Sequence, residues 1–245
     1  MGAGLWKSLS DAILTILDEA HFEANADGIR FRSLDPSHIA MIDISCSNKA
    51  FENYVCLTPV KFGFRVDDFQ KIVKRAIAAN SVELRLDGSL LEVRTSGVYA
   101  KNYRLKLIES KPGTDTPLPR VVPTARLVMK LSMLKEVLSD IEAISNKITI
   151  ESTPESKITF STDGESGDGR LIIDGNAMIE GLSVTATETA KATFTTDLIS
   201  KMVEALTGAA DLVTISYSSD KPLNLSFTLS PEVNISFFLA PRVVN

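Results

Sequence analysis

Two histidines, His21 and His38, and two cysteines, Cys46 and Cys56, are the side chains of this 245-residue chain that would ordinarily serve as base or nucleophile near neutral pH. Nucleophilic catalysis needs a nucleophile, a base within reach and a group that orients the base. No serine or cysteine stands in a spacing that supports such a set. His38 reads instead as a residue that orders its turn or meets a partner. The cysteines lack C-x-x-C spacing and have no histidine beside them, which argues against a metal site. They read as free thiols, with a disulfide left open as the alternative. Gly164, Gly167 and Gly169 have the look of a phosphate loop, yet no G-K-[ST] follows, so a hairpin or bulged loop is the reading. The carboxylates are scattered over solvent-facing positions. A hydrolase would need a convergent cluster that this pattern does not offer.

The basic residues are better organised. Lys71, Lys74 and Arg75 stand at i, i+3 and i+4, opposite the apolar stripe Phe69, Ile72, Val73 and Ala76. Lys7, Lys135 and Lys201 fall in three further helical segments. Taken alone, such residues are an ordinary solvated helix face, and Asp11, Glu136, Asp140 and Glu204 are interspersed among them. With 26 basic and 31 acidic residues the net charge is −5, which argues against a tight grip on nucleic acid and leaves room for a loose one.

A third group consists of apolar residues that break their own pattern. Val233, Ile235, Phe237 and Leu239 take one face of a strand, and Phe238 shares the other with Asn234 and Ser236. In Ile39–Ile44, Ile42 and Ile44 point inward, leaving Ile39 and Met41 beside Asp43. Apolar side chains that converge on a surface make a docking patch. The alternative, that a linker covers them, stays open at this point.

These residues must be held by elements that the chain spells twice. A helix over residues 67–77 leads into alternating strands, and a second over residues 197–206 does the same, each after a phenylalanine strand end, Phe64 and Phe194. Leu9, Ile13 and Ile16 of a helix over residues 5–18 match Leu134, Leu138 and Ile141 of one over residues 132–144. Ile29-Arg30-Phe31-Arg32 is echoed by Ile158-Thr159-Phe160-Ser161. Val82–Leu86 and Leu91–Arg94, joined at Asp87-Gly88, form a hairpin signal, and Tyr103–Leu107 alternates again. The proline-rich stretch Ser110–Pro123 forbids helix and sheet and reads as an extended linker. The expectation is an α+β protein of two copies of one unit: residues 1–109, a connecting linker 110–124, and residues 125–245. Helices between strand runs without a βαβ rhythm favour antiparallel sheets with helices on one face. No apolar stretch is long enough to span a bilayer, so the chain reads as soluble and intracellular.

Ser33-Leu34-Asp35-Pro36-Ser37-His38-Ile39-Ala40-Met41-Ile42, the linker end Thr116-Pro117-Leu118-Pro119 and Phe237-Phe238-Leu239-Ala240-Pro241-Arg242-Val243 resemble the sliding-clamp family of proliferating cell nuclear antigen in its archaeal form. The resemblance spans nearly the whole chain. It implies a DNA-clamp fold, non-enzymatic and without cofactor or metal, in which three subunits close into a ring around double-stranded DNA. Sheets form the outside and helices line the channel. Lys7, Lys71, Lys74, Arg75, Lys135 and Lys201 would then face DNA. Leu34, His38, Ile39, Met41, Leu118, Pro119, Pro222, Phe238, Ala240, Pro241 and Arg242 would meet partner peptides. Those peptides would carry a glutamine, two residues, an aliphatic, two residues and two aromatics, and would belong to DNA polymerase, flap endonuclease, DNA ligase and the clamp loader. The resemblance pairs the edge Tyr103, Arg104, Leu105, Lys106 and Leu107 with Arg170, Leu171, Ile172 and Ile173 of a neighbour, where Arg104 and Lys106 could meet Asp168 or Asp174. The assembly would be a homotrimer or a heterotrimer with paralogues. A checkpoint-type ring scaffold is the alternative. Relatives begin with a strand, whereas only Met1-Gly2-Ala3-Gly4 precedes Leu5 here.

Overall fold

The computed structural model describes the chain except residues 77–80, 98, 110–115, 166, 178 and 244–245. It divides into two compact units, residues 1–116 with 229–235, and residues 117–228 with 236–245.

The first unit runs α1 (Ala3–Leu14), β1 (Glu19–Asn25), β2 (Gly28–Leu34), β3 (Ala40–Ser47), β4 (Val60–Arg65), α2 (Val66–Lys74), β5 (Ser81–Asp87), β6 (Leu90–Ser96) and β7 (Lys101–Lys106). Its strands lie in the orders β3-β2-β1-β4 and β5-β6-β7, and every registered pair is antiparallel. Buried Trp6, Leu9, Ala12 and Ile13 form the inward stripe of α1. Phe69, Ile72 and Val73 do the same for α2. The two helices meet through Trp6 and Phe69, whose rings stand edge to face at 5.5 Å. Phe22 stacks on Phe62 and Phe64, carrying the core from α2 into β1 and β4.

The second unit, with residues 229–235 of the first, runs β8 (Ala125–Lys130), α3 (Leu131–Glu142), β9 (Lys147–Ser152), β10 (Lys157–Gly164), β11 (Gly167–Asp174), β12 (Ser183–Ala186), β13 (Ala190–Thr195), α4 (Thr196–Ala205), β14 (Leu212–Tyr217), β15 (Leu223–Ser230) and β16 (Val233–Leu239). Strands β11-β10-β9-β13 repeat the order of β3-β2-β1-β4 element for element, and β14-β15-β16 repeat β5-β6-β7. The duplication read from the sequence is thus a duplication of topology. Two strands lack counterparts among the described residues: β8, which precedes α3 and pairs with β14, whereas no strand precedes α1, and β12, which pairs with β8, whereas no strand lies between β3 and β4.

Boundaries differ from the sequence reading in several places, among them α2, which ends at Lys74 rather than residue 77. The first helix ends at Leu14 rather than residue 18, because Thr15 Oγ1 donates to the Ala12 carbonyl and Ile16 N–H closes onto Ile13, tightening the last turn. Ile16 and Leu17 therefore extend the apolar stripe without extending the helix. The Asp87-Gly88 turn is displaced by one residue. Asp87 still pairs with Leu90, so the loop is Gly88-Ser89, with Gly88 at φ +57, where glycine is at ease.

Candidate functional site

Three surfaces carry the residues singled out above, and each has one part in the first unit and one in the second.

The first is the outward face of the helices. On α2 and the turn that closes it at Arg75 and Ala76, Phe69, Ile72, Val73 and Ala76 are buried while Lys71, Lys74 and Arg75 are exposed, so the 3.6-residue period separates the faces as read. Asp67 and Asp68 occupy the first turn and Lys71 and Lys74 the last, each complementing the helix dipole. The cations are not idle. Lys71 Nζ lies 3.3 Å from Asp67 Oδ2 and 3.1 Å from Asp68 Oδ1. Lys7 pairs with Asp11 on α1, and Lys74 Nζ reaches the same carboxylate at 3.9 Å. In the second unit Lys201 pairs with Asp197 at 2.8 Å, and Lys135 is exposed on α3. Neither Arg75 nor Lys135 has an ion pair among the described residues.

The second surface is a pair of sheet edges. Strand β7 pairs with β6 and lies at the end of its sheet, and β11 likewise pairs only with β10. Tyr103, Leu105 and Leu107 are half-buried, with Arg104 and Lys106 exposed between them. On β11, Leu171 and Ile173 are half-buried, Arg170 is exposed, and Ile172 is 53% exposed. An apolar residue so open on a free strand edge is an invitation to strand addition. The Arg104 charge is already engaged: its Nε donates to Glu92 Oε1 at 3.1 Å, and Arg94 donates to Oε2 at 2.9 Å. Two guanidinium groups thus hold a carboxylate whose side chain is only 4% exposed, which leaves Lys106 as the freer charge on that edge.

The third surface gathers apolar residues in two places. In the first unit, the turn between β2 and β3 presents Ile39, which is 45% exposed. Asp35 shapes this turn. Its carboxylate accepts from the backbone N–H groups of Ile39 and Ala40, both at 2.7 Å, and from Ser37 Oγ. Partial burial works to raise the Asp35 carboxyl, but the bonds from Ser37, Ala40 and Ile39 outweigh it and hold it below the ordinary carboxylate value. His38 sits exposed with φ +60 and donates its backbone N–H to the Asp35 carbonyl. Leu34 is half-buried at the end of β2. Met41 departs from expectation: it is 4% exposed, and with Ala40 and Ile42 it makes three consecutive buried residues. Asp43, Ser45 and Ser47 on the same face stay half-buried, so the cover is confined to the Met41 end of β3, and Met41 is a core residue rather than part of a surface patch.

In the second unit, Pro119, Val121, Pro123, Ser216, Tyr217, Pro222, Asn224, Ser236 and Phe238 line a cavity of about 300 Å³. Val233, Ile235, Phe237 and Leu239 are buried to the last ångström of the strand, so Phe238 does lie on the opposite face, half-buried. Ser218 Oγ donates to the Val122 carbonyl and accepts from Thr124 N–H, pinning the end of the proline-rich stretch beside β14. Leu118 is 37% exposed, and Ala240 and Pro241 are half-buried. Arg242 bonds within the unit, its N–H to the Thr193 carbonyl at 2.7 Å and its guanidinium to Asn146 Oδ1 at 3.1 Å. Sequence reasoning missed Val121, Pro123, Ser216, Tyr217, Asn224 and Ser236 as lining. Their signal was weak, since Asn224 and Ser236 are simply the polar faces of β15 and β16, and only strand register brings them beside Phe238.

Burial pushes the Cys46 thiol up to about 12, which makes it a core residue rather than a nucleophile. Both cysteines are free thiols. Among the described residues no group of three or more His, Cys, Asp or Glu could hold a metal, and no helix is long and apolar enough to cross a membrane.

The N-terminal domain model of proliferating cell nuclear antigen matches residues 1–108, and the C-terminal domain model matches residues 124–242. The chain is 38% identical to the DNA polymerase sliding clamp of Nitrosopumilus maritimus (strain SCM1), covering 91% of this chain and 89% of that protein. It is 37% identical to the DNA polymerase sliding clamp of Cenarchaeum symbiosum (strain A), with the same 91% and 89% coverage. The crystal structure of proliferating cell nuclear antigen from Thermococcus kodakaraensis superposes with a TM-score of 0.92 at 26% identity, covering 99% of this chain and 98% of that one. With both family domains in tandem along its length, the chain belongs to the proliferating cell nuclear antigen family.

Proposed function

We propose that this protein is a DNA polymerase sliding clamp subunit, a processivity factor that performs no chemistry of its own. The observation that carries the reading is the tandem pair of family domains, in a chain that aligns along nine-tenths of its length with relatives bearing that name. Its domains are residues 1–109 and 125–245, joined by the linker 110–124. Three subunits, of this chain or of this chain with paralogues, close into an intracellular ring around double-stranded DNA. Lys7, Lys71, Lys74, Arg75, Lys135 and Lys201 face the duplex. They make sequence-independent phosphate contacts, and retention comes from encirclement rather than affinity. The edges Tyr103–Leu107 and Arg170–Ile173 form the seam between subunits. Short peptides of polymerase, clamp loader, flap endonuclease and ligase are taken by Leu34, His38 and Ile39 in the first unit and by Leu118, Pro119, Pro222, Phe238, Ala240, Pro241 and Arg242 in the second. The free strand edges, the cavity beside Phe238 and the basic helix faces all support this reading.

The test is topological. Loaded by its own loader onto nicked circular DNA, the protein should stay bound after a salt wash and should fall off when the circle is cut open. Equal retention on circular and linear DNA would mean that it holds by contact and does not encircle.

A further inference from the structure

We infer that Asp11 sets how loosely the first unit holds DNA, as an internal counter-ion that competes with phosphate for Lys7 and Lys74. The inference rests on the reading that this helix face meets DNA. Asp11 lies on α1, with its side chain only 15% exposed, and it engages both helices. One oxygen takes Lys7, one turn before it on α1. The other accepts from Gln70 Nε2 on α2 and lies 3.9 Å from Lys74 Nζ. Two of the unit's four candidate phosphate-binding cations are thereby drawn to one carboxylate. A third, Lys71, is held by Asp67 and Asp68, which also engage Arg65.

Solvent-exposed pairs along a helix are usually worth little for stability. Asp11 differs in being sheltered and in serving groups from two helices. Gln70 donates to the oxygen that Lys74 approaches, so the carboxylate keeps a partner when a lysine leaves. A phosphate approaching Lys7 or Lys74 must therefore displace a fixed negative charge rather than a mobile ion. Each such exchange releases less counterion than a free lysine would, which lowers both the affinity and its salt dependence. Asp11 is a positioning residue here and need not touch DNA itself.

The experiment measures equilibrium binding of the full-length protein to a linear duplex over a range of salt concentrations. The variants are Asp11→Asn, Asp11→Glu, the pair Asp67→Asn/Asp68→Asn, and the triple reversal Lys71→Glu/Lys74→Glu/Arg75→Glu, with melting temperatures recorded for all. Asp11→Asn keeps the shape and an acceptor for Gln70 while removing the charge. Freeing one or two lysines should steepen the slope of log affinity against log salt by about 0.9 to 1.8. Between about 200 and 50 mM salt that corresponds to an additional gain of roughly 3.5- to 12-fold in affinity over the unaltered protein. Asp11→Glu should keep the native slope. The Asp67→Asn/Asp68→Asn pair should steepen it through Lys71 by an independent route. An unchanged slope in Asp11→Asn, with binding weakened in the triple reversal, would overturn the counter-ion role and leave the DNA face intact. Weaker binding in Asp11→Asn would also overturn it, marking Asp11 as a tether only. Binding untouched by the triple reversal would remove the DNA face itself, and this inference with it.

Discussion

Phe238→Ala is the most direct probe of partner capture. Phe238 is half-buried, interrupts the polar face of β16, and forms one apolar wall of the 300 Å³ cavity with Pro119, Val121, Pro123 and Pro222. A cavity of that size accepts a large aliphatic or aromatic side chain, and burying one contributes about 1.5–3 kcal/mol. A peptide placing two or three such groups, less the cost of ordering it, should bind at micromolar strength or somewhat tighter. Truncating Phe238 removes the largest wall and leaves the guest partly in water, at a cost of about 1–3 kcal/mol, which is roughly 5- to 150-fold in Kd. Calorimetric titration with a peptide of glutamine, two residues, an aliphatic, two residues and two aromatics reads this directly. The adjacent Phe237 is the control. It is fully buried, so Phe237→Ala should cost the fold about 3–5 kcal/mol, whereas Phe238→Ala should leave the melting temperature nearly unchanged. An unaltered Kd in Phe238→Ala would place peptide capture elsewhere. A loss of affinity matched by a large fall in melting temperature would show that the side chain supports the fold and not the guest.

Two further outcomes are expected. Ile172→Asp puts a charge where a 53% exposed isoleucine lies on the free edge of β11, so light scattering should show smaller particles for the variant than for the unaltered protein, which should run as a trimer alone or with a paralogue. The same mass for both would refute the seam. Asp35 makes the turn bearing Ile39 sensitive to acid. Its carboxyl is lowered in the native state, so the stability it adds is complete above the ordinary value of about 3.9 and is lost as pH falls through the lower native value. Hydrogen exchange at the Ile39 and Ala40 amides should accelerate in Asp35→Asn at neutral pH, and equal protection in both proteins would deny the carboxylate this role.

How much of this was legible without coordinates depends on how strongly each segment insists on one period. The α2 helix was plain because buried Phe69, Ile72 and Val73 alternate with charges at helical spacing, and the β5–β6 hairpin because leucines and valines alternate about a glycine turn. Strand β1 went unread. Its inward residues are Ala20, Phe22 and Ala24, and two alanines carry no strand preference of their own; pairing with β2 and β4 makes it a strand. Phe238 could be singled out because one phenylalanine among Asn234 and Ser236 is conspicuous. Met41 misled for the opposite reason. It shares the face of half-exposed Asp43 and Ser45 yet is buried itself, and alternation alone does not show where along a face the cover begins. The ion pairs were the least legible. Spacing suggests that Lys7 can meet Asp11 within one helix, but nothing in the linear order brings Gln70 and Lys74 to the same carboxylate.

Those pairs bear on how a chain of net charge −5 can serve DNA at all. A protein that neutralises 6–10 phosphates gains affinity steeply as salt falls and would stay where it lands. Here Lys7 and Lys74 share Asp11, Lys71 has Asp67 and Asp68, and Lys201 has Asp197, which leaves Arg75 and Lys135 as the cations without a carboxylate among the described residues. On the proposed reading, such a face would attract the duplex at short range while offering each phosphate a replaceable partner, so that moving along by one phosphate would exchange like for like. Low affinity then becomes a condition for sliding, and only a closed ring can turn it into long residence. The acidic balance that first argued against nucleic acid is thus what a mobile clamp requires, provided that encirclement supplies the grip.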